Sequence, residues 1–182
     1  MNESHITRYD VMPIPPVESQ TQFFDAGVVK IGVEYRLLNE AIAAAHTPQA
    51  ATGDQPGDTT LVDRGVSIHV YGQLDDEMLE HLRFDCFDED PHYHYISWRD
   101  HANEMIHIDP IAEGDALSWT LDRLRLRLPH MLARAGAAEV ANRVDQRLVD
   151  AILPRVTEAA YRARFDPDEE AILEDALGAS RE

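Results

Sequence analysis

Short segments in which apolar and polar side chains alternate constrain the fold of this chain more than any other feature of its sequence. They occupy residues 28–37, 66–71, 82–87, 92–98 and 105–109. Successive side chains of a β-strand point to opposite sides, so each segment predicts a strand with one buried face. Short polar connections between the later segments favour antiparallel pairing. The pattern therefore predicts an antiparallel sheet of about four to five strands.

From Pro110 onward, the spacing of the apolar residues becomes helical. Leucines recur at steps of three and four residues, at Leu117, Leu121, Leu124, Leu128 and Leu132. This spacing predicts an amphipathic helix in which Asp115 is the N-cap. Pro129 is expected to kink or break the helix, and Gly136 is expected to end the segment.

Two further helices are predicted nearer the C-terminus. An apolar stripe over residues 140–156 indicates the first, which Pro154 interrupts. The sequence Asp-Pro-Asp-Glu at residues 166–169 provides an N-cap, a proline at the first helical position and an acid, and predicts a helix that ends near Gly178. Strands followed by helices define an α+β fold, with the C-terminal helices packed on one face of the sheet.

The chain is predicted to consist of an arm and one domain. The run Met-Pro-Ile-Pro-Pro at residues 12–16 forbids a helix, so residues 1–22 are expected to form an extended, proline-rich N-terminal arm. Residues 23–182 are predicted to form a single α+β domain. Within it, residues 38–46 predict a short helix, and residues 47–60, rich in proline and glycine, predict a flexible loop.

Charge and cysteine content exclude several classes of protein. The chain has 34 acidic and 16 basic residues and a net charge of -18, which opposes binding to nucleic acid. Its single cysteine, Cys86, cannot form an internal disulfide, as is typical of a reducing compartment. We find no signal-peptide pattern and no apolar run of about 18 residues. These features predict a soluble, cytoplasmic protein that does not associate with membranes.

Histidines concentrate in the segment predicted to form the sheet. If Tyr93 and Tyr95 face the core, the alternation places a set of polar side chains together on the opposite face. The set comprises His69, Arg83, Asp85, His92, His94 and His107. One conflict accompanies this prediction, because Ile96 and Trp98 have the same parity as His92 and His94 and would put bulky apolar groups on the polar face.

This set of side chains predicts a metal site or an acid–base site. Imidazoles and a carboxylate bind divalent transition metals such as zinc, iron, nickel or copper. The candidate ligands are His69, Asp85, His92, His94 and His107. In the catalytic interpretation, His92, His94 and Asp85 transfer protons near neutral pH, and Arg83 holds an anionic group. The sequence contains no nucleotide cofactor motif.

Three functions are compatible with these residues. The first is an enzyme of the hydrolase or lyase type. The second is a non-catalytic accessory subunit that uses the N-terminal arm and the C-terminal helices to contact a larger enzyme or another copy of itself. The third, which the negative charge disfavours, is a toxin-type ribonuclease. Histidines that only pair with nearby carboxylates would give the same pattern without any function.

Four arginines form a basic stripe in the region of the first predicted helix, at Arg123, Arg125, Arg127 and Arg134. Residues two positions apart point in different directions on a helix. We therefore expect these arginines to contact the acidic surface of the protein itself and not to form one basic patch.

Overall fold

A single antiparallel sheet of seven strands dominates the computed structural model, which describes residues 6–10, 12–39 and 61–172. The strands are β1 (Ile6–Tyr9), β2 (Gln22–Ala26), β3 (Val29–Asn39), β4 (Leu61–Leu74), β5 (Glu77–Phe87), β6 (His92–Ser97) and β7 (Ala102–His107). Their order in the sheet is β1-β7-β6-β5-β4-β3-β2. The predicted α+β class is confirmed, whereas the predicted count of four to five strands is too low.

The two strands missing from the prediction, β1 and β2, form the edges of the sheet. All four residues of β1 are exposed, so no apolar alternation marks this strand in the sequence. In β2, two adjacent phenylalanines interrupt the alternation, and of the two only Phe24 is buried. Edge strands with solvent on both faces or with a short buried segment carry too weak a pattern to be recognised.

In the described part of the chain, five complete α-helices follow the sheet. They are α1 (Pro110–Glu113), α2 (Ala116–Leu126), α3 (Leu128–Arg134), α4 (Ala138–Ala141) and α5 (Gln146–Phe165), in addition to a short 3-10 helix at Glu18–Gln20. The predicted cap is confirmed, because the Asp115 carboxylate accepts a hydrogen bond from the Ser118 N–H at 2.9 Å. The predicted break is also confirmed, because Pro129 lies in the first turn of a new helix. Gly136 follows the end of α3 with a φ of 81°.

Other helical predictions need correction. Pro154 lies inside α5, a helix of 20 residues that is not interrupted there, because buried residues on both sides of the proline pack against the core. Asp166 ends α5, and Asp168 instead accepts the hydrogen bond from Ala171 N–H that begins the next helical turn. Leu38 and Asn39 belong to β3, so they do not begin a helix. The rest of the predicted helix at 38–46, the loop at 47–60 and the end near Gly178 lie outside the described residues.

The helices cover one face of the sheet and bury the hydrophobic core there. Contacts from α5 reach β2, β3 and β4, and contacts from α2 and α3 reach β5. The innermost side chains of this core are Ile31, Ile68, Leu82, Phe84, Leu117, Leu124, Leu132 and Leu153. Since side chains alternate along a strand, the intervening residues of β3, β4 and β5 point to the opposite face, which the helices leave open.

Part of the N-terminal segment lies over this opposite face. Residues 12–17 form neither helix nor strand. The backbone N–H of Val17 donates a hydrogen bond to Oε1 of Glu34 at 3.0 Å, and Met12, Pro13 and Ile14 line a cavity above the sheet. The division into an arm at residues 1–22 and a domain at 23–182 stays a prediction. None of the helices in the described part of the chain has the length and apolar character needed to cross a membrane.

Candidate metal site

The strand register brings the predicted polar residues onto two neighbouring rows across the sheet. In the first row, Ser67 pairs with Asp85, Asp85 with His92, and His92 with His107. In the second row, His69 pairs with Arg83, and Arg83 with His94. All six predicted side chains therefore start from the same face, and their contacts determine which of them come together.

Three of them form a compact cluster at the centre of this face. The metal-ligating atoms of Asp85, His92 and His94 all lie within 4.8 Å of one another. Oδ2 of Asp85 is 3.4 Å from Nε2 of His92 and 3.5 Å from Nε2 of His94. Asp85 is 3% exposed and His94 is 7% exposed, so the cluster is largely shielded from water.

Each imidazole is oriented through its other nitrogen. Nδ1 of His92 is 2.7 Å from the backbone carbonyl oxygen of Asp90, and Nδ1 of His94 is 2.7 Å from Oδ1 of Asn103. Both partners are hydrogen-bond acceptors, so Nδ1 of each ring donates a hydrogen bond and each Nε2 faces the cluster. Metal-binding histidines are typically held in this way.

The spacing of the three groups fits a shared metal ion. Bonds of about 2.0–2.1 Å at tetrahedral angles put neighbouring ligand atoms about 3.3–3.4 Å apart. A direct charge-assisted hydrogen bond from imidazole to carboxylate would be about 2.7–2.9 Å. The observed separations of 3.4 and 3.5 Å match the first geometry. This group can hold a metal ion.

The electrostatics of the cluster keep its carboxylate ionised. Burial alone would raise the pKa of Asp85, but the facing imidazoles of His92 and His94 and the charge of Arg83 hold it well below its usual range. Burial alone would lower the pKa of His92, but the Asp85 carboxylate outweighs this effect and raises it. The Ser67 hydroxyl also donates a hydrogen bond to Oδ1 of Asp85, which leaves Oδ2 to face the imidazoles.

His69 and Arg83 belong to a separate network beside the cluster. Nδ1 of His69 is 2.6 Å from Oε1 of Glu80, and its Nε2 is 3.1 Å from Oε2 of Glu34. Arg83 donates two hydrogen bonds to the Glu80 carboxylate, at 2.9 and 2.7 Å. With both nitrogens bonded to carboxylates, His69 has no lone pair to offer a metal ion. The guanidinium of Arg83 is likewise committed to Glu80.

Glu80 reaches this network because of an irregularity in β5. Val70 pairs with Leu82, but Tyr71 pairs with Glu80, so His81 is an extra residue that forms a β-bulge. The bulge reverses the alternation and places Glu80 on the same face as Arg83. Simple alternation from Leu82 would have put Glu80 on the helix side, so the sequence pattern conceals this contact.

The network makes the stability of the fold depend on pH. Salt bridges and hydrogen bonds from Arg83 and His69 overcome the effect of burial and lower the pKa of Glu80 to about 2, from 4.5. A carboxyl whose pKa is lower in the folded state stabilises the fold above its unfolded pKa. We expect this contribution to be lost as the pH falls from about 4.5 to about 2. Denaturant titrations across this pH range should show that Glu80→Gln loses less free energy of unfolding than the wild type as the pH falls. If both proteins lose the same amount, the network does not set this pH dependence.

His107 lies at the margin of the polar face. Its Nδ1 is 2.6 Å from Oδ1 of Asp90, and its side chain is 49% exposed. Its ring centroid is 6.3 Å from that of His92. The structure thus places His107 next to the cluster, but in a surface pair with Asp90 and not among the three converging ligand groups.

The parity conflict of Ile96 and Trp98 has a simple explanation. β6 ends at Ser97, so Trp98 lies beyond the strand, where its indole N–H donates to the backbone oxygen of Glu80 at 2.7 Å. Ile96 is completely buried but is not part of the core beneath the helices. The polar face therefore also contains buried apolar side chains.

A cavity of about 220 Å³ opens beside the cluster. Its polar lining comprises Arg36, Arg83, Asp85, His92, His94 and Asn103, and its other lining residues are Tyr9, Met12, Pro13, Ile14, Leu38, Phe87 and Met105. Arg36 is held by longer ion pairs than Arg83, which contacts Glu80 at 2.9 and 2.7 Å. Its nearest carboxylate oxygens are 3.9 Å away on Glu34 and 4.0 Å away on Asp85. Arg36 is thus better placed than Arg83 to receive an anionic group.

Cys86 lies on the helix side of β5 and takes no part in this site. Its sulfur is 3.4 Å from the Thr120 hydroxyl, and burial raises the pKa of the thiol to about 12. A thiol with this pKa stays protonated and unreactive at neutral pH.

The fold and the cluster define an α+β domain with a His-His-Asp group on the open face of a seven-stranded sheet. Residues 23–160 match a family described as Domain of unknown function (DUF7700), and the chain belongs to this family. The matched region includes all three residues of the cluster. No curated protein matches the chain. No solved structure matches it either.

Proposed function

We propose that the protein is a metal-dependent enzyme of the hydrolase or lyase type that binds one divalent transition metal ion through Asp85, His92 and His94. The observation that carries this proposal is the spacing of 3.4 and 3.5 Å between the carboxylate oxygen and the two imidazole nitrogens. A structural role alone would favour shorter, direct hydrogen bonds.

The donor set favours zinc or iron(II) among the transition metals. Two imidazoles and one carboxylate are common ligands of catalytic zinc and of non-haem iron. Three protein ligands leave at least one coordination position open, as in catalytic rather than structural sites. A divalent ion held there would supply Lewis acidity for the activation of water or the polarisation of a carbonyl group.

The residues around the cluster supply what such an enzyme needs from its protein. Ser67 and Asn103 orient Asp85 and His94, and their hydrogen bonds fix which ligand atoms face the cavity. Arg36 provides a positive charge for an anionic group of the substrate. The apolar side chains of Met12, Ile14 and other lining residues limit the cavity to a small molecule with an apolar part.

Metal analysis of the purified protein tests the proposal. After removal of all metal with a chelator and reconstitution with zinc or iron(II), we expect one tightly bound ion per chain. The His92→Ala/His94→Ala double variant is expected to lose this ion while keeping its fold by circular dichroism. His107→Ala, which removes a neighbouring histidine outside the cluster, is the matched control and should retain the ion. A folded wild-type protein that binds no transition metal would contradict the proposal.

An accessory subunit is the second candidate function, and exposed apolar side chains on the helices favour it. Ile111 is 93% exposed, Phe165 75% and Leu126 65%. Large apolar side chains in such positions are often covered by a partner. Co-purification with a larger enzyme of a protein that contains no metal would favour this function over the first.

A further inference from the structure

A second cavity lies on the opposite side of the sheet, where α2 and α3 meet β6. It has a volume of about 330 Å³. Its lining combines aromatic and cationic side chains and comprises Tyr93, Tyr95, Trp119, Arg123, Arg127, His130, Met131 and Arg134. We refer to it as the arginine cavity. Tyr93 and Tyr95 reach it because they alternate along β6 with His92 and His94, whose side chains lie on the opposite face in the cluster with Asp85.

Helix geometry explains why three of the four arginines in the basic stripe converge here. Trp119 and Arg123 are four residues apart and share one side of α2, and Arg127, the C-cap of α2, lines the same cavity. The break at Pro129 starts α3 in a new direction, and Arg134 then lines the same cavity. Arg125 points elsewhere and lies 4.0 Å from Asp122. The expectation that these arginines contact the acidic surface of the protein holds for Arg125, beside Asp122, and for Arg134, which pairs with Glu104, but not for Arg123 and Arg127.

Aromatic rings hold two of the guanidinium groups in place. The guanidinium carbon of Arg123 lies 4.8 Å from the ring centre of Trp119, and that of Arg134 lies 4.8 Å from the ring centre of Tyr95. Stacking of this kind restricts the side chains without using their N–H donors. Two buried hydrogen-bond donors beside the cavity, Nε of Arg123 and Nε1 of Trp119, have no partner.

The charge around the cavity is positive, although the chain as a whole is strongly acidic. No carboxylate is among the described lining residues. Arg134 pairs with Glu104, whereas within the described ranges Arg123 and Arg127 form no ion pair. Two guanidinium charges therefore stay uncompensated. Buried hydrogen-bond donors and cations without an ion pair in one cavity favour the binding of an oxyanion.

We propose that the arginine cavity binds the phosphate group of a small phosphate ester. A phosphate monoester carries a charge of about −1.5 to −2 near neutral pH, which matches the two uncompensated guanidinium groups better than a single carboxylate does. Arginine also forms bidentate hydrogen bonds with phosphate oxygens. The rest of the cavity, lined by Tyr93, Tyr95 and Met131, has room for a small ring or chain attached to the phosphate.

The tyrosines add neutral hydrogen-bonding groups. Burial and the neighbouring Tyr95 raise the pKa of Tyr93 to about 12, so its hydroxyl stays protonated at neutral pH. A neutral phenol can donate a hydrogen bond to a phosphate oxygen without adding negative charge.

Calorimetric titration of the full chain with phenyl phosphate, inorganic phosphate and benzoate tests this inference. We expect saturable binding of one phenyl phosphate per chain, weaker binding of inorganic phosphate and still weaker binding of benzoate. Arg127→Ala should weaken phenyl phosphate binding by about tenfold or more, because it removes a charge-assisted hydrogen bond. Arg125→Ala changes the net charge equally on the same helix but outside the cavity, and it should leave the affinity almost unchanged.

Several outcomes would overturn the inference. They are the absence of saturable binding at millimolar phenyl phosphate, equal weakening by Arg125→Ala and Arg127→Ala, and equal affinity for benzoate. The result does not depend on the metal site, because the titration uses chelator-treated protein. The His92→Ala/His94→Ala variant should bind phenyl phosphate as the wild type does, so failure of one proposal leaves the other standing.

Discussion

Replacing Glu80 by alanine is expected to lower the free energy of unfolding by about 3–5 kcal/mol, which is the typical cost of removing one partner of a buried ion pair. Glu80 accepts two hydrogen bonds from Arg83, which is 2% exposed, and one from His69, which is completely buried. Without this carboxylate, the guanidinium of Arg83 would stay buried without a directly bonded carboxylate. Much of the loss therefore comes from the charge left behind and not from the lost contact itself.

Chemical denaturation of Glu80→Ala beside a matched variant measures this effect. Glu77→Ala removes an exposed carboxylate from the same strand and should change stability by less than about 0.5 kcal/mol. If both variants unfold at the same denaturant concentration, the network contributes nothing specific to the fold. A large loss in Glu80→Ala that Arg83→Met in the same chain partly reverses would show that the stranded guanidinium is the cause.

Replacing Asp85 by asparagine is expected to weaken metal binding by about 100- to 1,000-fold, on the order of one ligand's share of the binding free energy. The substitution keeps the size of the side chain and an acceptor for the Ser67 hydroxyl but removes the negative charge that faces the two imidazoles. The metal-free variant should stay folded, because no close hydrogen bond between Asp85 and the imidazoles is lost. The affinity for the metal ion should therefore change much more than the stability of the metal-free fold.

Competition with a coloured chelator gives the affinity for zinc, and thermal unfolding of the metal-free proteins gives the stability. Asp90→Asn is the matched control, because Asp90 pairs with His107 through its side chain and contacts His92 only through its backbone. If Asp85→Asn and Asp90→Asn bind zinc equally well, Asp85 is not a ligand. If Asp85→Asn unfolds the metal-free protein, the carboxylate is a structural element of the sheet.

The sequence predicted the central part of the sheet because burial is one-sided there. The alternation in β3, β4 and β5 follows from a helix-covered face and an open face, and it placed Asp85, His92 and His94 on the same side. The spacing of Asp85 and the histidines across strands could not be read from the chain, because it depends on the register. The register in turn depends on turns such as that at Asp75 and Asp76, both with positive φ.

The contacts that could not be predicted from the sequence depend on irregular geometry. The bulge at His81 turns Glu80 towards Arg83, and no pattern in the sequence predicts this bulge. The contact of Val17 with Glu34 brings the N-terminal segment over the polar face, and nothing in the alternation specifies where a proline-rich segment will lie. The convergence of Arg127 and Arg134 depends on the direction in which α3 leaves Pro129, which the helical periodicity does not determine.

X-ray absorption spectroscopy of the protein loaded with one equivalent of zinc tests the ligand set most directly. We expect a first shell of nitrogen and oxygen atoms at about 2.0–2.1 Å, with the outer-shell scattering of two imidazole rings. The signal of both rings should disappear in the His92→Ala/His94→Ala variant and persist in His107→Ala. A shell without imidazole scattering, or a spectrum that His107→Ala alters and the double variant does not, would contradict a metal ion held by Asp85, His92 and His94.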